Sequence, residues 1–385
     1  MPPWPVPEAG RLVHNPPMPI LRPLAALLCG ALLVACATSP EPVRTSASPV
    51  LGEARPSVEV AESFVTEPSR GDELDSLATW TSEDGRVLVI ATAKSSHRLV
   101  VYDGDSGERL REVGGKGTGP GRFTRPNGVL VFGDLVFVTE RDARRVQVLS
   151  LPGFDPVGSF GEDVLRSPYA LWLHETAPGE LHAYVTDSFM YGDDYTVVPP
   201  WEELDQRVRR FRVRRDATGG IDARYQGSFG DTSQAAGLRM VESIWGDPAH
   251  DRLLVADEDR RHASTLREYT LDGRYTGGGL PHGSFGGEAE GVVLWDCTPD
   301  GGYWVAVDQL NPLTIFHVYD RATLAPRGSF RGAMTANTDG IALHLSPTPR
   351  FPGGVMYAVH DDRAVAAFDL REVAGALGLD PACSH

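Results

Sequence analysis

The sequence lacks the short motifs that mark several common chemistries. It contains no C-x-x-C pair, no H-E-x-x-H run, no G-x-S-x-G turn and no P-loop. Zinc-ribbon, thioredoxin-type, zinc-peptidase, serine-hydrolase and P-loop nucleotide sites therefore have no support in the chain. The 11 histidines also show no ligand spacing, so zinc is not expected.

Basic residues are scarce relative to acidic ones. The 385 residues include 36 Lys and Arg against 52 Asp and Glu, which gives a formal net charge of −16. An acidic surface of this size repels the phosphate backbone, so no nucleic-acid partner is expected. An anionic small molecule would need a divalent cation to bind such a surface. The 42 glycines and 30 prolines indicate a globular, turn-rich chain.

The N-terminal apolar run, residues 24–34, has eleven residues, which is too short to span a bilayer and typical of a signal-peptide core. It leads into the letters LVAC, which resemble the bacterial lipobox, so Cys36 is predicted to be lipidated after cleavage. Residues 1–36 are interpreted as a lipoprotein signal peptide, with 1–17 as an upstream extension or a misplaced start. An ordinary signal peptide that ends in Cys is the alternative. Ala37 follows Cys36, so anchoring at the outer membrane or cell surface is expected.

Beyond the signal the chain divides into a linker, a body and a tail. Residues 37–70 are rich in Ser, Thr, Pro and Glu and are predicted to be a flexible tether. Residues 71–375 form the predicted folded domain, and 376–385 a C-terminal tail. The body has only two cysteines, Cys297 and Cys383. Outside the cytoplasm they are predicted either to form one disulfide or to remain a buried thiol and a tail thiol.

The body repeats itself. The string GSFG begins at Gly158, Gly227 and Gly283, and a degraded copy begins at Gly328. Between these markers lie short runs with period-2 alternation and Gly, Asp or Asn turns, and no long amphipathic helix is indicated. This pattern predicts an all-β, six-bladed β-propeller of four-stranded antiparallel blades. The predicted units are 75–113, 124–161, 167–230, 240–286, 288–331 and 337–372.

Two segments of the third unit allow more than one interpretation. The insertion Phe189 to Asp205 is either part of a functional mouth or a plain surface loop. The run RVRRFRVRR places Arg210, Arg212 and Arg214 on one face of a strand. That face could bind a polyanion, but a charged outer edge that prevents edge-to-edge pairing is the favoured interpretation.

Two resemblances to known families follow from the quoted segments. Residues 114–148, GGKGTGPGRFTRPNGVLVFGDLVFVTERDARRVQVL, resemble one NHL repeat. The whole body is similar to the β-propeller phytases, which are calcium-dependent phosphatases acting on inositol hexakisphosphate. The segments that carry this resemblance occur in the family's order: DELDSLATW, SPYALWLHETAPGELHAYVTD, VESIWGDPAHDRLLVADED, AEGVVLWDCTPDGGYWVAVDQ and TDGIALHLSPTPRFPGGVMYAVHDDRAVAAFDLREV.

The phytase resemblance implies a calcium site and phosphate-contacting side chains. Lys94, Arg141 and Tyr169 fall where the family contacts phosphate, and Glu242 is assigned to both the metal and catalysis. The chain departs from the family where Ser76-Leu77, Asn127-Gly128 and Ala333 replace polar ligands, which implies weaker calcium binding, fewer calcium ions or a different phosphoester as substrate. The carboxylates that fall at the family's calcium positions are Asp72, Asp75, Glu242, Glu290 and Asp339.

The function implied by the resemblance is calcium-dependent hydrolysis of phosphate monoesters, with inositol hexakisphosphate as substrate. The expected partners are this anionic small molecule and, through the lipid anchor, a membrane, and the chain is expected to be a monomer. The alternative is a non-catalytic propeller that serves as a cell-surface binding module. The three replaced ligands favour that alternative. A lactonase-type site would need a tight mononuclear centre that the sequence does not assemble.

Overall fold

The structure is a computed structural model, and it describes residues 56–281 and 283–384. The predicted signal peptide, Cys36 and the tether residues 37–55 lie outside this part of the chain. The described residues form six β-sheets, one α-helix, Leu370–Leu377, and four short 3-10 helices. No helix within these ranges has the length and hydropathy needed to cross a bilayer.

Each sheet is one blade built from consecutive antiparallel strands. Blade 1 comprises Leu74–Thr81, Val87–Ala93, Arg98–Asp103 and Arg109–Gly114. Blade 2 comprises Pro126–Phe132, Leu135–Glu140, Arg145–Ser150 and Asp155–Phe160. Blade 3 comprises Pro168–Ala177, Glu180–Asp187, Val208–Arg215 and Ile221–Phe229. Blade 4 comprises Val241–Asp247, Arg252–Asp257, Thr265–Tyr269 and Tyr275–Gly279.

The last two blades each receive a strand from the N-terminal side of the domain. Blade 5 consists of Glu288–Asp296, Gly302–Gln309, Ile315–Asp320 and Pro326–Arg331, to which Val58–Glu59 adds in parallel. Blade 6 consists of Ile341–His344, Val355–His360 and Ala364–Asp369, and Phe64–Val65 supplies its fourth strand. The predicted sixth unit, 337–372, therefore provides three of its four strands.

The blades close into a ring. The first strands of consecutive blades lie side by side from blade 1 to blade 6, and the first strand of blade 6 lies beside that of blade 1. Six separate apolar clusters fill the six interfaces between neighbouring blades. Both faces of every sheet are therefore buried, which explains the short apolar runs of the sequence. The predicted six-bladed β-propeller is confirmed.

The segment that precedes blade 1 closes the ring. Phe64 pairs with Ala367 and Val65 with Ala366 in antiparallel register. The carboxylate of Glu62 accepts hydrogen bonds from the backbone N–H groups of residues 333–335. The prediction of a flexible tether is therefore wrong for residues 56–70, because they supply the outer strand without which the edge of blade 6 would be unpaired.

The C-terminal segment is held to blade 5. The helix Leu370–Leu377 is capped at its N-terminus by Asp369, whose carboxylate accepts a hydrogen bond from the N–H of Arg371. Its buried residues pack into the cluster between blades 5 and 6. Cys297 and Cys383 form a disulfide with a Cα–Cα distance of 4.6 Å. Of the two alternatives for this pair, the structure has the disulfide.

The arginine-rich run is an interior strand. Val208–Arg215 is the third strand of blade 3 and is covered by Ile221–Phe229. The predicted alternation is present, since Phe211 and Val213 are buried. The prediction of a charged outer edge is wrong, because a fourth strand pairs with the whole run.

Candidate functional site

Every blade has the same local pattern at or just before the start of its first strand, a polar residue followed by a small one and then a branched apolar one. Examples are Asp75-Ser76-Leu77 in blade 1 and Asp339-Gly340-Ile341 in blade 6. Because the first strands surround the axis, the six polar residues form a ring at one end of it, which is called the axial ring. Its members are Asp75, Asn127, Tyr169, Glu242, Glu290 and Asp339.

The backbone of the axial ring is fixed by hydrogen bonds that run from blade to blade. The carbonyl of each ring residue accepts a hydrogen bond from the blade before it. Between blades 6 and 1, for example, the N–H of Gly340 donates a hydrogen bond of 2.9 Å to the backbone carbonyl oxygen of Asp75. A Cβ at Gly340 would lie 2.5 Å from that same oxygen, so this close approach requires glycine.

The small residues of the pattern enclose a narrow channel below the ring. This cavity has a volume of about 50 Å³ and is lined by the small and branched residues of all six blades. It has room for little more than a water molecule. A channel of this size cannot hold a small-molecule ligand.

Three glutamates meet at this ring. Glu242 and Glu290 come from the axial ring, and Glu258 follows the second strand of blade 4. Carboxylate oxygens of the three lie within 4.8 Å of one another, and this group is called the acidic triad. Burial, reinforced by their mutual repulsion, raises the pKa of Glu242 and Glu290, and burial raises the pKa of Glu258 to about 8. A metal ion bound here would offset both the burial of the carboxylates and their mutual repulsion, so the acidic triad could hold one.

Two further carboxylates of the ring form ion pairs with a lysine. The Lys94 Nζ lies 2.8 Å from Asp75 and 3.4 Å from Asp339, and the lysine is 7% exposed. Burial opposes the charge of Lys94, but the two carboxylates hold its pKa well above the usual range. Glu73 lies 3.7 Å from the same ammonium. The ammonium of Lys94 thus compensates part of the negative charge in this half of the ring.

Asn127 occupies the ring position of blade 2. It is fully buried, and neither its amide nitrogen nor its amide oxygen has a hydrogen-bond partner among the described residues. Buried amides are nearly always paired, so this side chain indicates a missing partner such as water or an ion.

Asp72 lies in a different environment from the other predicted calcium ligands. Its fully buried carboxylate is 2.7 Å from Arg98 and 3.0 Å from Arg109. Burial alone would raise its pKa, but hydrogen bonds from Ser69, Ser96 and Arg98 lower the pKa of Asp72 to about 2. The structure therefore assigns this carboxylate to ion pairs within blade 1.

Asp72→Asn is expected to lower the free energy of unfolding at neutral pH by about 2 to 3 kcal/mol, because the arginines lose a buried anionic partner. Folding lowers the pKa of Asp72 from 3.8 to about 2. The difference in the free energy of unfolding between the wild type and Asp72→Asn therefore has its full value above pH 3.8 and disappears as the pH falls toward 2. Urea unfolding across this range measures it, with the exposed Asp163→Asn as control. Wild-type stability together with weakened calcium binding would instead return Asp72 to the metal site.

A cavity of about 590 Å³ opens beside the acidic triad. Two of the triad glutamates, Glu242 and Glu258, line it together with Tyr169. Burial and the charge of Glu242 raise the pKa of Tyr169 well above its usual value, so its phenol remains a hydrogen-bond donor. Three arginines, Arg141, Arg144 and Arg166, also line this cavity.

The blade 3 insertion forms part of this cavity. Its residues Met190, Asp194 and Tyr195 line the wall. Arg166 lies 3.8 Å above the ring centre of Phe189, which holds the insertion against the mouth. Of the two interpretations of this insertion, the structure favours the one that places it at the mouth.

Comparisons with known proteins give no family. No protein-family model matches the chain, and no curated protein matches it. Among solved structures it is similar to a chain of a nidogen/laminin complex, with 15% identity and a TM-score of 0.47 over 74% of this chain and 89% of the other. It is also similar to a catalytically inactive virginiamycin B lyase from Staphylococcus aureus with quinupristin, with 11% identity and a TM-score of 0.45 over 80% of this chain and 99% of the other. Both likenesses stop at the propeller architecture, which the strand order already establishes.

The structure sorts the predicted site residues into four environments. Glu242 and Glu290 join the acidic triad, Asp75 and Asp339 pair with Lys94, and Asp72 belongs to blade 1. Arg141 and Tyr169 line the cavity, with Arg141 also 2.8 Å from Asp142. The sequence reasoning missed three residues of the site: Glu258, Arg144 and Arg166.

The position of Glu258 carries a signal that could have identified it. In blade 4, Val241 pairs with Asp257 in antiparallel register. The residues that follow these two are therefore diagonal neighbours of each other on the same face of the sheet. One of them is the ring residue Glu242 and the other is Glu258. In blade 1 the same relation, Leu74 with Ala93, brings Asp75 beside Lys94.

Proposed function

We propose that this chain is a metal-dependent hydrolase of phosphate monoesters that uses calcium, with inositol hexakisphosphate or a related compact polyanion as substrate. One observation carries this proposal: the same cavity is lined by Glu242 and Glu258 and by three arginines. A phosphate ester needs both, a cation-binding group for its reacting oxygens and fixed positive charges for the rest of its anion.

The chemistry of the triad favours a hard cation. All three residues offer carboxylate oxygens, and no ion pair with a described basic residue neutralises them. Carboxylate oxygens suit calcium, magnesium and manganese, and calcium tolerates irregular arrangements best. When bound, such an ion would polarise a phosphoryl oxygen and lower the pKa of a coordinated water.

The remaining residues are suited to hold the substrate. Arg141 and Arg144 can donate to phosphate oxygens, in single or paired hydrogen bonds. The phenol of Tyr169, which keeps its proton, can donate to an oxygen on which charge develops. The insertion residue Tyr195, which is 67% exposed, lines the same cavity and could also contact a bound substrate.

Phosphate release from inositol hexakisphosphate by the full chain tests the proposal. Release is expected with calcium and is expected to stop when EDTA removes the ion, because the triad then lacks its cation. Arg144→Gln is expected to raise KM about tenfold through the loss of one charge-assisted hydrogen bond. The exposed Arg224→Gln is the matched control.

No release at any calcium concentration from a correctly folded chain would refute the enzymatic proposal. The second candidate, a non-catalytic binding module, is favoured by one observation. Lys94 forms ion pairs with Asp75 and Asp339, which leaves fewer free carboxylates for a cluster of several calcium ions. Calcium-dependent binding of inositol hexakisphosphate without hydrolysis would support that candidate.

We also propose that the protein is exported and anchored through Cys36 to the outer membrane or cell surface. The Cys297–Cys383 disulfide supports a location outside the reducing cytoplasm.

A further inference from the structure

Lysine is almost absent from this protein. The sequence contains two lysines, Lys94 and Lys116, while its other basic residues are arginines. Lys116 is exposed on a loop. Lys94 is buried at the axial ring, with its ammonium between carboxylates of blades 1 and 6. A compact point charge has thus been placed where every other feature of the ring would suit a metal ion.

The ring carboxylates divide into two sets of different charge balance. Asp75 and Asp339 share the Lys94 ammonium, and Asp339 also accepts from the side-chain amide of Gln309. Glu242, Glu258 and Glu290 have no cation among the described residues, although their oxygens are within 4.8 Å of one another. The two sets influence each other, since the charges of Asp75 and Asp339 both act on Glu242. They therefore belong to one continuous acidic site.

We propose that Lys94 is a fixed cation that takes the place of a second metal ion in the axial ring. An ammonium and a divalent ion compete for the same carboxylate oxygens, so while Lys94 is present Asp75 and Asp339 do not ligate metal. The native ring then binds a metal ion only at the acidic triad, a part of the argument that rests on the proposed function. Removing the ammonium opens the second position.

Calcium bound per chain, measured after equilibrium dialysis of the full-length protein at physiological ionic strength, tests this proposal. Lys94→Met is expected to bind one more calcium ion than the wild type. Lys116→Met is the matched control and is expected to bind as many ions as the wild type, because Lys116 is exposed and the ion pairs of the ring carboxylates are with Lys94. Adding Asp75→Asn and Asp339→Asn to Lys94→Met is expected to abolish the extra ion. An unchanged count in folded Lys94→Met would overturn the proposal.

A second variant keeps the proposal testable if Lys94→Met does not fold. Asp75→Asn with Asp339→Asn in the otherwise native chain is expected to leave the number of calcium ions bound per chain unchanged, although the calcium affinity of the triad falls because two negative charges that act on Glu242 are lost. Loss of an ion in this variant would show that these carboxylates ligate metal beside Lys94, and would refute the proposal. The proposed calcium site at the acidic triad and the proposed role of Lys94 can be refuted independently. A wild type that binds no calcium contradicts the triad site, whereas the ion gained on removing Lys94 is measured relative to whatever the wild type binds.

Discussion

Glu258→Gln is expected to lower the calcium affinity of the protein by at least about 100-fold and to reduce phosphate release at limiting calcium by a similar factor. Glutamine keeps one oxygen in place of the carboxylate but loses the negative charge, and the triad has only three ligands from the chain. Even residues that only support metal ligands typically contribute about 10- to 100-fold to affinity. Calcium titration and initial rates of phosphate release measure the effect.

The same substitution is expected to have the opposite effect on the metal-free protein. Burial and the neighbouring carboxylates raise the pKa of Glu242 and Glu290, which means that charge on the triad opposes folding. The pKa of Glu258 is raised to about 8, so this carboxyl must take up a proton on folding at neutral pH; Glu258→Gln removes that cost, and the melting temperature without calcium should rise. The further increase that calcium gives to the wild type should disappear, because the ion no longer binds the folded state.

The exposed Glu83→Gln is the matched control and should change neither quantity. Wild-type calcium affinity in Glu258→Gln would show that the acidic triad is not the metal site. A lower melting temperature in the absence of calcium would show that Glu258 instead stabilises the fold. The two readouts thus separate a metal ligand from a structural carboxylate.

The architecture could be predicted from the sequence because each blade is a local unit. Strand alternation is visible within each unit, successive GSFG copies begin 45 to 69 residues apart, and the predicted units agree with the observed blades. The fourth strand of blade 6 could not be predicted in this way. Phe64–Val65 is two residues long, too short to show a period, and its partner Ala366–Ala367 lies about 300 residues later in the chain.

The site was predictable only where the blade pattern repeats. Asp72 and Asp75 are three residues apart and looked equivalent, but Glu73 between them has a positive φ of 54°, which redirects the chain. Asp72 consequently turns to the arginines of blade 1 while Asp75 meets Lys94. No spacing rule distinguishes the two, because the difference lies in the backbone conformation of one residue.

The acidic run at residues 257–259 shows the same limit. Asp257 accepts hydrogen bonds from the backbone of Arg239 and Met240, and Asp259 pairs with Arg239. Only Glu258, between them, joins the triad. Adjacent residues leave a strand in different directions, so three neighbouring carboxylates serve three purposes. Composition marks the segment as acidic but cannot say which of the three faces the axis.

A chain that begins at Gly71 is expected to lose cooperative folding, whereas one that begins at Pro56 is expected to unfold at the same urea concentration as the full chain. The shorter chain lacks Phe64–Val65, which leaves the strand Ala364–Asp369 as an open edge. It also loses the side chain of Phe64, whose ring lies 6.3 Å from that of Phe351, and the buried Val60 and Thr66.

Burial of these side chains and their backbone hydrogen bonds amounts to about 5 kcal/mol or more, which approaches the whole stability of a typical domain. Urea unfolding followed by circular dichroism compares the two truncated chains, and the chain that begins at Pro56 is the control for the loss of the preceding residues. Equal unfolding midpoints would mean that the ring closes without its N-terminal strand. The residues before Gly71 would then be a tether after all, and the contacts of Glu62 with residues 333–335 would contribute little to stability.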